Sequence, residues 1–192
     1  MSHCKQYLIE TATLAGLVSH DLIEQLVGLL DQIRSSHGRV FVVGLGGSAA
    51  NASHAVNDLR KLCNIEAYCP TDNVAEITAI ANDNGWAEIF SGFLSNSQIQ
   101  PRDALFVLSV GGGTDEVSLP LKQALDFAKS RGMTILGIVG RDGGYTKELG
   151  DCVVVVPIVK QTRITPHTEG FQSVILHCIV SHPTLQRSPT KW

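Results

Sequence analysis

At 192 residues, with 44% hydrophobic residues, 6% aromatics and 18 glycines, the chain suits one domain of aliphatic strands and small-residue helices and excludes an aromatic-cored all-β fold. Its 15 Lys and Arg against 18 Asp and Glu leave a net charge of −3, and no basic block is interleaved with aromatics, which excludes a nucleic-acid partner. No apolar run approaches the roughly 20 residues that cross a bilayer, so no membrane association is expected.

Met1-Ser2-His3-Cys4-Lys5 opens into an amphipathic segment and not into a signal-peptide core, which points to a cytoplasmic protein. Apolar residues then recur at helical spacing from Ile9 to Ile33 (Leu14, Leu17, Val18, Leu22, Leu26, Leu29, Leu30), predicting one or two helices ahead of the sheet. A sheet already flanked by crossover helices offers them little to cover, so residues 1–35 are read as a helical segment for oligomer packing. Residues 36–182 form the main domain. Residues 183–192, with two prolines and little periodicity, read as a loosely ordered tail.

Arg39-Val40-Phe41-Val42-Val43 is too continuously apolar for a half-exposed strand and fits one buried on both faces. Similar runs lie at Ala104–Val110, Met133–Val139 and Cys152–Ile158, and a short extra strand near Glu66–Cys69 makes five. Helical patterns alternate with them at Ala49–Cys63, Val74–Asn82, Trp86–Asn96, Asp115–Arg131 and Glu169–Ser181. Strands alternating with helices predict an α/β fold, a five-stranded parallel sheet flanked by helices. The five cysteines (Cys4, Cys63, Cys69, Cys152, Cys178) are an odd number without a Cys-x-x-Cys pair, which fits reduced, mostly buried thiols better than disulfides or a cysteine zinc site.

Two loops stand out. Gly44-Leu45-Gly46-Gly47-Ser48 joins the first strand to a helix, where glycines let the backbone approach a ligand and the helix N-terminus favours an anion. It lacks the Gly-Lys-Ser/Thr of a Walker loop and a ribose-binding acid, so no nucleotide cofactor is expected. Ser109-Val110-Gly111-Gly112-Gly113-Thr114 repeats the arrangement after another strand. In an open α/β sheet two such loops face one crevice. Gly46, Gly47, Ser48, Ser109, Gly111, Gly112 and Thr114 are the candidate phosphate binders, and with no lysine in either loop the phosphate is expected to be held by dipoles and hydroxyls without a fixed cation.

His54-x-x-x-Asp58 puts an imidazole and a carboxylate on one helix face, as an acid/base pair or a metal site requires. Glu169 and His177 lie eight residues apart, about 12 Å along a helix, and could share a metal only if Glu169 enters from the helix start.

These motifs resemble the sugar isomerase (SIS) domain family and, within it, the phosphoheptose isomerases. Gly44–Ser48 is similar to the family's Gly-Asn-Gly-Gly-Ser loop, Ser109–Thr114 to its Ser-Thr-Ser-Gly-Asn-Ser phosphate loop, and Ala81-Asn82-Asp83 to its Ala-Asn-Asp stretch, which adds Asn82 and Asp83 to the expected substrate contacts. The resemblance covers the chain to about Ile179 and implies a flavodoxin-like three-layer sandwich, a homotetramer with sites shared between subunits, and interconversion of sedoheptulose 7-phosphate and D-glycero-D-manno-heptose 7-phosphate through an enediol. It implies catalytic roles for Asp58 and His177, a substrate contact at Glu169, and one zinc per chain held by His54, Asp58, Glu169 and His177. The sequence departs from the family at Leu45 (asparagine there), at Val110 and Gly111 (hydroxyls there), at Asp58 (glutamate there) and at Glu169 (glutamine there). Those departures leave an alternative, a non-catalytic SIS module that binds a sugar phosphate as a sensor or assembly scaffold.

Overall fold

A computed structural model describes residues 1–190. Its sheet has five parallel strands in the order β2-β1-β3-β4-β5, with β1 at Val40–Val43, β2 at Ala67–Tyr68, β3 at Ala104–Ser109, β4 at Thr134–Val139 and β5 at Cys152–Val155. Every residue of β1 and β3 is buried, as continuous aliphatic runs predict for strands covered on both faces.

Alternate side chains of each strand feed two separate cores, which gives three layers. Val40, Val42, Phe106, Leu108, Leu136 and Ile138 face one core, completed by helices α2 (His20–Ser35), α3 (Gly47–Cys63) and α8 (Ile164–Val180). Phe41, Val43, Leu105, Val107 and Ile135 face the other, completed by α4 (Val74–Asp83), α5 (Ile89–Asn96) and α6 (Leu119–Ser130). A short helix α7 (Gly144–Leu149), absent from the sequence reading, packs Tyr145 and Leu149 against this second core.

The N-terminal segment divides in function. In α2 the apolar stripe Ile23, Leu26, Val27, Leu30 and Ile33 is buried in the chain's own core, so this helix closes the sheet and presents no stripe to a partner. Helix α1 (His3–Leu17) buries only Glu10 and Leu14, and leaves Leu8, Ile9 and Leu17 exposed. The expected loose tail is also tied down. Leu185 is fully buried, Arg34 donates to the carbonyls of Thr184 and Leu185, and the amides of Arg187 and Ser188 donate to the Leu62 carbonyl. Lys191 and Trp192, the end of that expected tail, lie outside the described residues.

Buried Glu10 docks α1. Arg163 Nε donates to its carboxylate at 2.7 Å, His167 Nε2 lies 3.0 Å away, and Gln6 donates at 3.1 Å, while Tyr7 stacks on His167 with ring centroids 4.5 Å apart. The Arg163 guanidinium, then His167, hold the Glu10 carboxyl well below the usual carboxylate range. A carboxylate with a depressed folded-state pKa contributes stability above its unfolded pKa and loses it as pH falls toward the folded one. Glu10→Gln should therefore melt lower than the wild type at pH 7, with the gap narrowing below about pH 4, as thermal melts across pH would show.

The loops at the carboxyl edge of the sheet lock into each other through backbone. Gly112 accepts from Thr146 N at 2.9 Å and from Thr146 Oγ1 at 2.7 Å, and Gly113 accepts from Tyr145 N at 3.0 Å. Gly112 has φ +71°, and a Cβ there would lie 1.9 Å from the Gly143 carbonyl oxygen. Gly112→Ala is expected to cost at least about 1 kcal/mol in urea unfolding.

Candidate active site

In the order β2-β1-β3-β4-β5 the chain leaves β1 toward one edge and β3 toward the other, so the loops after β1 and β3 diverge and open a crevice between them. That crevice, of about 760 Å³, is lined by Leu45 and Ser48 after β1, by the Ser109–Thr114 loop after β3, by Arg141 and Asp142 after β4, and by Ile164 and Thr165 of α8. The two glycine-rich loops singled out in the sequence do meet at one place. Gly46, at φ +60°, is the N-cap of α3 and turns the chain so that Ser48 enters the helix facing the crevice.

The hydroxyls have different duties. Ser48 is buried, lines the crevice, and has no hydrogen-bond partner among the described residues. Ser109 Oγ accepts from Gly112 N at 3.0 Å, and Thr114 Oγ1 accepts from Val117 N at 2.9 Å, so both brace their own loop as well as lining the cavity. Gly111 lines the crevice, whereas Gly46, Gly47 and Gly112 shape the loops behind it. The expectation that no cation faces this space is corrected: Arg141, from the loop after β4, lines it.

A second polar group lies along the seam where α3 packs on α8. Ala52 and Ala55 of α3 are buried in the core that both helices cover. Asn51 Nδ2 then donates across the seam to Glu169 O at 2.9 Å and to Gln172 Oε1 at 3.0 Å. Farther along, Asp58 Oδ2 lies 3.2 Å from His54 Nε2 and 3.8 Å from His177 Nε2, and the two imidazole rings sit 5.1 Å apart, edge to face. Asp58 is buried and its Oδ1 accepts from Asn57 Nδ2 at 2.9 Å, while both histidines are about half exposed. Ligand atoms of His54, Asp58 and His177 all lie within 4.8 Å of one another.

Glu169 stands outside this triad. Helix α8 begins at Ile164, five residues earlier than the sequence suggested, so Glu169 and His177 lie about two turns apart on one continuous helix, and the Glu169 carboxylate is not among the ligand atoms that converge. Its carboxylate covers Gly47 instead, 2.5 Å from where a Cβ would stand, at the N-terminus of α3, where the helix dipole favours a negative charge. Asn82 and Asp83 end α4 on the opposite face of the sheet, exposed and bonded to each other at 2.7 Å, and line no part of the crevice. Asn51 and Gln172 are absent from the sequence reading, although Asn51 lies four residues after Gly47 and three before His54, and Gln172 three after Glu169, spacings that put each on the face of its helix that those residues share.

His54, Asp58 and His177 fit a zinc ion by the chemistry of their donors. Two imidazoles and one carboxylate make a three-ligand set that leaves a fourth tetrahedral position open. Among the described residues no helix is long and apolar enough to cross a membrane.

A sequence profile described as SIS domain matches residues 11–140. Phosphoheptose isomerase of Helicobacter pylori strain P12 is 30% identical over 84% of this chain and 84% of its own, and that of Chromohalobacter salexigens is 31% identical over 89% and 86%. The structure of phosphoheptose isomerase GmhA from Neisseria gonorrhoeae superposes with a TM-score of 0.80 at 24% identity, covering 92% of this chain and 95% of that one, and shares the fold. A profile spanning more than half of the chain and relatives of matching length and about 30% identity lead to one conclusion: this protein belongs to the SIS domain family, among the phosphoheptose isomerases.

Proposed function

We propose that the protein is an aldose–ketose isomerase converting sedoheptulose 7-phosphate to D-glycero-D-manno-heptose 7-phosphate. The observation that carries this reading is the convergence of Asp58 with His54 and His177 between α3 and α8, the two helices whose first turns carry Ser48, Ile164 and Thr165 of the crevice, although the three residues themselves do not line it. A module that only bound or sensed a sugar phosphate would have no use for a buried carboxylate flanked by two imidazoles, which argues against the scaffold alternative.

The phosphate sits in the crevice and the reacting carbons lie toward the triad. Ser48 and Asp58 are ten residues apart on α3, about 15 Å of rise, so an extended substrate chain would have to run along the α3–α8 seam to reach from one to the other. Asp58 Oδ2 removes the proton from C1 of the ketose to give an enediol and returns it to C2, while His177 moves the hydroxyl proton from O1 to O2, so the product is an isomer with no net gain or loss of protons. Residues His54, Asp58 and His177 would hold a zinc ion, which would polarise the carbonyl and organise the site. The functional unit is a homotetramer in the cytoplasm. The exposed Leu8, Ile9 and Leu17 of α1 supply an apolar surface for assembly, and a neighbouring subunit can supply what this crevice lacks, Asn82 and Asp83. Buried thiols agree with a reducing compartment, since burial pushes Cys63 up to about 11.

Incubation with pentose, hexose and heptose phosphates, followed by NMR, should show exchange for the heptose 7-phosphate, and Asp58→Asn or His177→Ala should each lower kcat/KM by at least about 100-fold. Full activity in both variants would overturn the assignment. Protein purified without chelator should carry close to one zinc per chain by elemental analysis. Because Glu169 stands apart from the triad, Glu169→Gln should leave that occupancy unchanged while His54→Ala removes it.

A further inference from the structure

Among the groups that line the crevice, Arg141 has no task within the fold. It follows Val139-Gly140 at the end of β4 with φ +52°, a left-handed conformation that glycine or asparagine adopts more readily, so the position retains an arginine at some cost in backbone strain. Its guanidinium has no hydrogen-bond, ion-pair or aromatic partner among the described residues. The stem runs beside the loop after β3, with its Cδ 3.9 Å from where a Cβ on Gly111 would lie. A side chain at position 111 would start in contact with that stem and grow into its space.

The other means of holding an anion here are partly used up. The N-terminus of α3 already faces the Glu169 carboxylate. Thr114 Oγ1 donates to the Val117 carbonyl at 3.4 Å, and Ser109 Oγ accepts from its own loop while its O–H stays free among the described residues, as do the hydroxyls of Ser48, Ser118 and Thr165 in the lining. Val110 and Gly111 add no hydroxyl. Two side chains of the lining carry formal charge, Arg141 and its neighbour Asp142, and an Asp142 oxygen accepts from Gly144 N at 3.2 Å. A phosphate dianion entering this space would meet neutral hydroxyl donors and, among the lining side chains, one cation, Arg141.

We propose that Arg141 is that cation: its guanidinium binds the phosphate of the sugar across the space left by Gly111, replacing hydroxyl donors that this loop lacks. A planar guanidinium offers two parallel N–H donors to two phosphate oxygens, which a hydroxyl cannot do. The pairing makes Gly111 and Arg141 complementary, one leaving the room that the other fills. Specificity follows, because a sugar without a phosphate would leave the guanidinium unpaired. The inference rests on the proposed sugar-phosphate isomerase reading for its substrate, but the anion site is testable without turnover.

Two measurements separate the two claims. In steady-state assays with sedoheptulose 7-phosphate, Arg141→Gln should raise KM by roughly tenfold or more with a smaller effect on kcat, Arg141→Lys should recover part of the loss, and the salt dependence of KM should flatten in the glutamine variant. Calorimetry with inorganic phosphate should show weaker binding to Arg141→Gln than to the wild type by a similar factor, with thermal melts confirming that both variants are folded. If the wild type isomerises the sugar and Arg141→Gln matches it in KM and in phosphate affinity, the role of Arg141 is overturned and the isomerase reading stands. If the wild type leaves the sugar unchanged yet binds phosphate through Arg141, the isomerase reading fails and this one survives. A wild type that binds neither inorganic phosphate nor the sugar phosphate overturns the site itself.

Discussion

The close packing of α3 on α8 is the contact on which the site depends. Both helices contribute to the same core on one face of the sheet, where Ala52 and Ala55 of α3 and Phe171 and Ile175 of α8 are buried. Their register is set by Asn51, whose amide bonds at once to a main-chain carbonyl and to a side-chain oxygen of α8. One residue of slip along either helix would displace its side chains by about 1.5 Å and turn them by about 100°. His54 and Asp58 would then face something other than His177. A catalytic geometry held by two rigid helices in this way tolerates loop variation better than one built on loops.

Much of this was legible in the sequence because it rests on local rules. Continuous aliphatic runs at Val40–Val43 and Ala104–Ser109 can be buried on both faces only in a parallel sheet, and the two glycine-rich turns follow those strands directly. His54 and Asp58 were paired by helical spacing alone. What stayed hidden depends on packing between distant segments. Nothing local marks Leu185 as a core residue, since its burial comes from the hold of Arg34 and Leu62 on the chain around it. Helix α7 is six residues long and opens on glycine, too short for a periodicity signal.

Glu169 and Arg141 show the limits of local rules in opposite ways. Glu169 matches a ligand by type and lies in the right helix, but its carboxylate covers Gly47 at the start of α3 and stands apart from the ligand atoms of His54, Asp58 and His177. Arg141 belongs to neither of the two glycine-rich loops that the sequence marks as anion sites. The third loop along the same sheet edge, Gly140-Arg141-Asp142-Gly143-Gly144, interlocks with the second through backbone hydrogen bonds, so an arginine there faces the same space as one in the second loop would. Sequence proximity understates this kind of neighbourhood, because adjacent strands of a parallel sheet are separated by a whole crossover helix.

The shortened carboxylate at position 58 has a consequence for how the site works. Of its two oxygens, Oδ1 is engaged by Asn57 and Oδ2 faces both imidazoles. A bound cation and a carbon-bound proton would therefore compete for the same oxygen. A longer side chain could swing one oxygen toward the substrate while keeping the other on an ion, but Asp58 is buried and its Cβ–Cγ reach is fixed by the helix backbone. In the proposed mechanism an ion held by Oδ2 would leave Asp58 a poor base, and a base at work would leave the ion two imidazoles. Both roles would fall to one oxygen atom, whose surroundings are fixed by the packing of α3 on α8.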